Sequence, residues 1–168
     1  LRRGHLTLYP NLWSILVGPP GSGKGNSITV MHDLVREANV NNFLGTLTTA
    51  SIFDALTDHK LSYLDRTDGQ LERMPLLIVA PEASSFFQAD EHRRGIIGQL
   101  TDLFDQSHNP HYEKKLADKV RSIVLVRPYL TFVGAATGDS LLDAIPPWTV
   151  EHGFMSRLLV SWSDYPKP

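Results

Sequence analysis

The residues best suited to chemistry are Gly18-Pro19-Pro20-Gly21-Ser22-Gly23-Lys24, which satisfy G-x-x-x-x-G-K at every fixed position. Glycines let consecutive backbone N–H groups wrap around an anion with no Cβ in the way. A helix that follows would point its positive N-terminal end at the same anion. Lys24 adds a mobile ammonium able to reach terminal phosphates. Gly25 and Asn26 complete the contact stretch, and Gly25 is a departure. A hydroxyl at that place normally ligates Mg2+ directly, and glycine has none. Ser27 stands two residues along and would need a shifted backbone to substitute. Water can serve instead, because Mg2+ keeps several waters readily. Phosphate binding survives the change; metal-dependent turnover is less assured.

A second candidate lies in "LLIVAPEASSFF". A buried strand ending in acidic residues can present an Asp to Mg2+ and a Glu to the attacking water. Pro81 stands where the Asp is wanted, and Glu82 where the Glu is wanted. The plain alternative for Glu82 is a solvated carboxylate at a helix start. In "YLTFVGAATGDS", Thr137 could touch a γ-phosphate or the attacking water, and a helix cap by Thr137 or Asp139 fits as well. Arg157 precedes the last strand, where an arginine could stabilise transition-state charge on a neighbouring subunit's nucleotide. Seen alone, an arginine at a strand edge is more often a surface residue. Asp105, His108 and His111 lie in a polar segment with a proline, which reads as a solvated loop rather than a metal site.

These residues need elements to position them. Leu12–Val17 reads as a buried strand ending at Gly18. From Ser27, the residues Ile28, Met31, Leu34, Val35 and Ala38 share one helical face. Phe43–Leu47 is a second strand, with Thr48 or Thr49 capping a helix that carries Ile52, Phe53 and Leu56. The polar span 58–73, with a turn at Asp68-Gly69, predicts a surface hairpin. Met74–Ala80 is apolar without alternation, as in a strand covered on both faces. Ile96, Ile97, Leu100, Leu103 and Phe104 mark another helix. A polar connection, Asn109–Lys119, leads to strands Ser122–Val126 and Tyr129–Ala135, separated by Pro128. Asp139 caps a short helix, Ser140–Ile145, and Leu158–Trp162 is the last strand. Alternating strands and helices predict a single α/β domain, a mostly parallel sheet with helices on both faces.

Composition bounds the rest. The 168 residues suffice for one core, and the absence of Cys excludes disulfides, thiolate metal sites and thiol nucleophiles. It also fits a reducing, cytoplasmic setting. A net charge of −2 gives no global attraction for nucleic acid, so any DNA contact must come from local patches such as Arg93-Arg94 or Lys114-Lys115, or from assembled subunits. Apolar runs are far too short to span a bilayer, so no membrane association is expected. The chain starts without Met and stops soon after an apolar run, which reads as a fragment of a longer protein.

Taken in order, "NLWSILVGPPGSGKG", "TTASIFDAL", "LLIVAPEASSFF", "QLTDLFDQ…HYEKK", "RPYLTFVGAATGDSLLDAIP" and "GFMSRLLVSW" resemble the P-loop ATPase domain of phage and mobile-element replication proteins, the helicase-like part often joined to a primase. Only the loop motif is specific by itself; the others persuade by order and spacing. The resemblance implies a three-layer α/β/α P-loop core of the AAA+, RecA-like or superfamily-3-like kind, plus the surface hairpin. It implies ATP and Mg2+ as cofactors, a homo-oligomeric ring holding ATP between subunits, and single- or double-stranded DNA as partner. On it, Lys24 matches the phosphate-binding lysine, Glu82 the catalytic glutamate, Thr137 a sensor, and Arg157 the arginine finger of an "S-R-F" type. Two other readings remain open at this level. Gly-Pro-Pro-Gly-Ser-Gly-Lys-Gly is also how adenylate-kinase-like loops read, although no arginine-rich lid is visible. A nucleotide-binding assembly module that does not turn over would suit Gly25 and Pro81.

Overall fold

Trp13, Ile15 and Val17 are buried while Ser14 and Leu16 are partly covered, so the first core strand packs helices on both of its faces. The computed structural model describes residues 2–3, 6–7, 9, 11–44, 49–58, 60–65, 69–87, 91–115 and 122–164. Short strands β1 (Arg2–Arg3) and β2 (Leu6–Thr7) pair antiparallel ahead of β3 (Trp13–Val17). Then come α1 (Lys24–Glu37), β4 (Asn42–Leu44), α2 (Thr49–Asp58), β5 (Leu61–Asp65) and β6 (Gly69–Ala80). After these follow α3 (Ala83–Phe87), α4 (Glu91–Asp105), β7 (Tyr112–Lys115), β8 (Ser122–Leu125) and β9 (Pro128–Ala136). The chain continues through α5 (Gly138–Ala144), α6 (Trp148–Glu151), a 3-10 turn at Met155–Arg157, and β10 (Leu158–Trp162).

The central sheet runs β10-β3-β9-β6-β4, all four pairings parallel, and β5 adds an antiparallel partner to β6. Chirality explains the layers. Parallel crossovers are right-handed, so steps in opposite directions along a sheet place their helices on opposite faces. Only β3 to β4 steps one way, and α1 alone packs Ile28 and Met31 on Leu16, Leu77, Val79, Val133 and Ala135. The other crossovers step back, and their helices bury Ile52, Phe53, Phe86, Phe87, Leu100 and Leu141 against Ile15, Ile78 and Phe132 on the second face. Aromatic rings lock that face: Phe132 lies 5.8 Å from Phe87, and Trp13 lies 5.0 Å from Phe104 and 5.4 Å from Phe154.

The predicted α/β layering is present, and β10 matches its expected bounds. Several details differ. The expected strand Phe43–Leu47 is Asn42–Leu44, with 45–48 outside the described residues, as are the turn at residue 68 and the cap at Thr48. The predicted hairpin is β5 with the first half of β6, which continues unbroken into the apolar run as one strand. Leu34 points away from the sheet at 61% exposure, because α1 lies over β9 with Ile28 and Met31 beneath it. Part of the expected connection Asn109–Lys119 is a strand: Tyr112–Lys115 pairs antiparallel with β8. Pro128 opens β9 instead of dividing two strands of one sheet, a place where its missing N–H costs no ladder bond. Thr137, not Asp139, caps α5. Among the described residues no helix is long and apolar enough to cross a membrane.

Candidate functional site

The carboxyl ends of β3, β9, β6 and β10 converge on one rim, the side on which open α/β sheets bind ligands. Gly18 leaves β3 with its N–H bonded to Ala136 O at 3.3 Å, and Ser22 N–H closes a turn on Pro19 O at 3.3 Å. Gly21 (φ 77°) and Gly23 (φ 84°) adopt left-handed backbone that a side chain would strain. At Gly18 a Cβ would stand 3.0 Å from Ser163 O and 3.2 Å from Ser22 Oγ, so packing also demands glycine there. Pro19 and Pro20 stiffen the rising limb between these turns.

The loop delivers the chain into α1 with Gly23 as N-cap and no side chain capping it, and no acidic residue stands in the first turn. The first helical bond runs from Ser27 N–H to Gly23 O at 3.1 Å, which leaves the amides of Lys24, Gly25 and Asn26 without an intrahelical acceptor. Three amides and a helix dipole therefore face out of the loop, with no acidic residue in the first turn of α1 to meet them. The Lys24 ammonium bridges the loop, donating to Gly18 O at 2.7 Å, Pro19 O at 2.8 Å and Ser22 Oγ at 3.1 Å. Chemically, such an arrangement can receive an anion, with the lysine's cation held across it.

Beside it, β9 separates β3 from β6. Glu82, just past β6, thus stands two strand spacings from the loop strand, about 9.6 Å sideways. Glu82 is exposed, and Ser84 Oγ donates to its Oε1. Ser85 Oγ donates to Glu82 O at 2.8 Å. Phe86 and Phe87 fix α3 below them, and Ala83 seats on Gly134, where a Cβ would come 2.9 Å from the Ala83 Cβ. The carboxylate is consequently held at a start of helix that is itself anchored in the core.

Thr137 follows β9 next to the loop, and its hydroxyl serves α5: it accepts from Ser140 N–H at 3.3 Å and donates to Ser140 Oγ at 2.7 Å. Its structural duty is thus the cap that the sequence left open as an alternative.

Arg157 is not brought to this rim. Leu158 pairs with Trp13 and Trp162 with Val17, so Arg157 lies at the amino end of the sheet, five residue steps or roughly 16 Å from the loop end. Its side chain is only 20% exposed and pairs with Asp105 at 2.5 Å. It also donates to Gly153 O at 2.6 Å and stacks over the Phe104 ring at 5.5 Å. It cannot serve the loop of its own chain. Asp105, considered in sequence as part of a histidine-rich segment, is instead the partner of this arginine. Among the described residues no group of three or more His, Asp or Glu side chains converges as a metal site.

Sequence reasoning missed Ser84, which holds Glu82, and Ser163, whose carbonyl limits Gly18. Ser84 had a signal, a hydroxyl two residues after the acid at a helix start; Ser163 had none, since its contact depends on which strand neighbours β3. No protein-family model matches the chain, and no curated protein matches it.

Proposed function

We propose that this domain binds ATP at the loop 18–26 and hydrolyses it, as the motor of a replication protein of the helicase type that its ordered motifs resemble. The observation that carries the reading is the loop itself: left-handed glycines, three helix-start amides without internal acceptors, and the Lys24 ammonium among them. The phosphate chain takes the helix-start amides of Lys24, Gly25 and Asn26, and Lys24 exchanges its loop acceptors for phosphate oxygens. Glu82 orients water across the carboxyl end of β9. The residues fit a triphosphate well. They fit Mg2+ less fully, because Gly25 and Pro81 supply no oxygen side chain; bound with ATP, the ion would neutralise phosphate charge, held by phosphate oxygens and water.

Arg157 acts, on this reading, in the site of an adjacent subunit of a ring, after release from Asp105. Lys114 and Lys115 on the β7–β8 hairpin supply a local patch for DNA phosphates. A nucleotide-kinase reading is less well supported. Arg73, Arg127 and Arg157 all belong to the amino end of the sheet, away from any phosphoryl held by the loop. A module that binds without turnover is favoured by Gly25 and Pro81. ATP turnover measured with and without single-stranded DNA, across protein concentration, tests the proposal. Specific activity should rise with concentration and with DNA; ATP binding with no phosphate release at any concentration would replace the motor with the binding module.

A further inference from the structure

We infer that the indole of Trp162 is the platform on which the base of the bound nucleotide stacks, an inference that rests on the nucleotide reading of the loop. β10 ends beside that loop. Trp162 is level with Val17, and Ser163 N–H bonds Val17 O at 3.0 Å, carrying the end of β10 along the start of the cradle. The ring does not lie along its own strand. Its Cη2 would come within 2.5 Å of a Cβ on Gly138, the first residue of α5, which follows β9. Because β3 lies between β10 and β9, the indole crosses the end of the very strand that feeds the loop.

Two contacts fix the ring. Gly138 has no side chain to displace its benzo edge, and Nε1 donates to Asp164 Oδ1. With the polar edge satisfied, what remains for a ligand is the π-face. Trp162 is 52% exposed, whereas Trp13 is 1% exposed and serves the core. A large aromatic ring left open costs hydration free energy unless something covers it. Here it stands one strand spacing, about 4.8 Å, from the strand whose loop grips phosphates. A nucleoside triphosphate anchored by its phosphates has its base on a tether at this rim, and every base offers a π-face. The triphosphate supplies charge complementarity to the loop and the base supplies the flat apolar surface that Trp162 lacks.

The test compares ATP with inorganic tripolyphosphate, by calorimetry and by tryptophan emission, in the parent protein, Trp162→Leu, Trp162→Phe and Lys24→Ala. ATP should quench emission and tripolyphosphate should not. Trp162→Leu keeps an apolar cover over Gly138 but no π-face, so ATP affinity should fall roughly five- to a hundredfold while tripolyphosphate affinity is unchanged. Trp162→Phe should retain most ATP affinity, and Lys24→Ala should lose both ligands. If Trp162→Leu binds ATP as the parent does, or loses both ligands equally, the platform is wrong and the loop reading stands. If the parent binds neither ligand, the loop reading falls and takes the platform with it.

Discussion

The ammonium of Lys24 donates to the carbonyl oxygen of Gly18 at 2.7 Å, so the last residue of the loop motif is tied to the first. The tie stores the cation across the mouth that its own amides define. The acceptors are two neutral carbonyls and a hydroxyl, which phosphate oxygens can replace because charged hydrogen bonds to phosphate are the stronger ones. Replacing Lys24 by Met should therefore abolish detectable ATP binding in calorimetry. The melting temperature should fall by roughly 6–12 °C, since the three partly buried hydrogen bonds contribute about 1 kcal/mol each and each kcal/mol is worth about 2–4 °C at this chain length. A Lys24→Met protein that binds ATP like the parent would remove the lysine from the site.

Glu82 is tied to Ser84 and sits across β9 from the loop. Glu82→Gln keeps size and hydrogen bonding but loses the charge that, on the proposed reading, aligns and deprotonates water. Expected are unchanged ATP affinity and a turnover lower by roughly 10²- to 10⁴-fold, the range for a lost general base. Phosphate release under saturating Mg2+ checks it, and a parental rate would free Glu82 of any role.

Gly25 is the residue that most distinguishes this loop, and its structure leaves it free to change. A Cβ there meets nothing within 4 Å, and its φ is ordinary helical backbone. Gly25→Thr should fold, with a melting temperature equal to or above the parent because threonine is the better helix residue than glycine. Its hydroxyl should raise the affinity for ATP in the presence of Mg2+ relative to ATP in EDTA. Equal ratios in parent and variant would show that position 25 does not face the ion.

Arg157 joins Asp105, Gly153 and the Phe104 ring. Asp105 is the exposed partner, so the ion pair itself contributes little, about 0.2–1 kcal/mol. The cation–π contact with Phe104 adds about 0.5–1 kcal/mol. Arg157→Ala should lower stability by roughly 0.7–2 kcal/mol on this sum. A double-mutant cycle with Asp105→Asn in urea unfolding measures the pair alone. If Arg157 also completes a neighbour's site, Arg157→Ala should abolish the rise of ATPase activity with protein concentration, whereas Asp105→Asn should keep it.

Gly134 lies under α3, with a would-be Cβ 2.9 Å from the Ala83 Cβ and 3.3 Å from Ala80 O. Neither neighbour is the free end of a long side chain. Gly134→Ala should overpack this contact and cost about 1–3 kcal/mol. At this chain length each kcal/mol corresponds to about 2–4 °C in thermal melting. Since Glu82 directly precedes that helix, turnover should fall with the shift, while ATP affinity stays.

How far the sequence speaks varies with the range of the interaction. The strand Trp13–Val17, the loop and the helix after it are legible because each depends on neighbours along the chain: apolar run, glycines at positive φ, helical period. β10 is legible for the same reason. β7 is not, because Tyr112-Glu113-Lys114-Lys115 offers one apolar residue and becomes a strand only through β8. Leu34 fits the helical period of α1 and still faces outward, since the helix sets Ile28 and Met31 against the sheet. The partner of Arg157 is equally hidden, lying at the far end of α4.

The residues of the cradle, their spacing and the backbone they require were settled by the chain itself. Steric limits on φ and the start of a helix are local properties, carried by a few consecutive side chains. What tertiary structure alone decided is the order of the parallel strands. It sets β9 between the loop and Glu82, lays Trp162 across the end of β3, and leaves Arg157 at the opposite end of the sheet. Strand order arises from burial of two faces by right-handed crossovers, a global balance that no short stretch of sequence encodes.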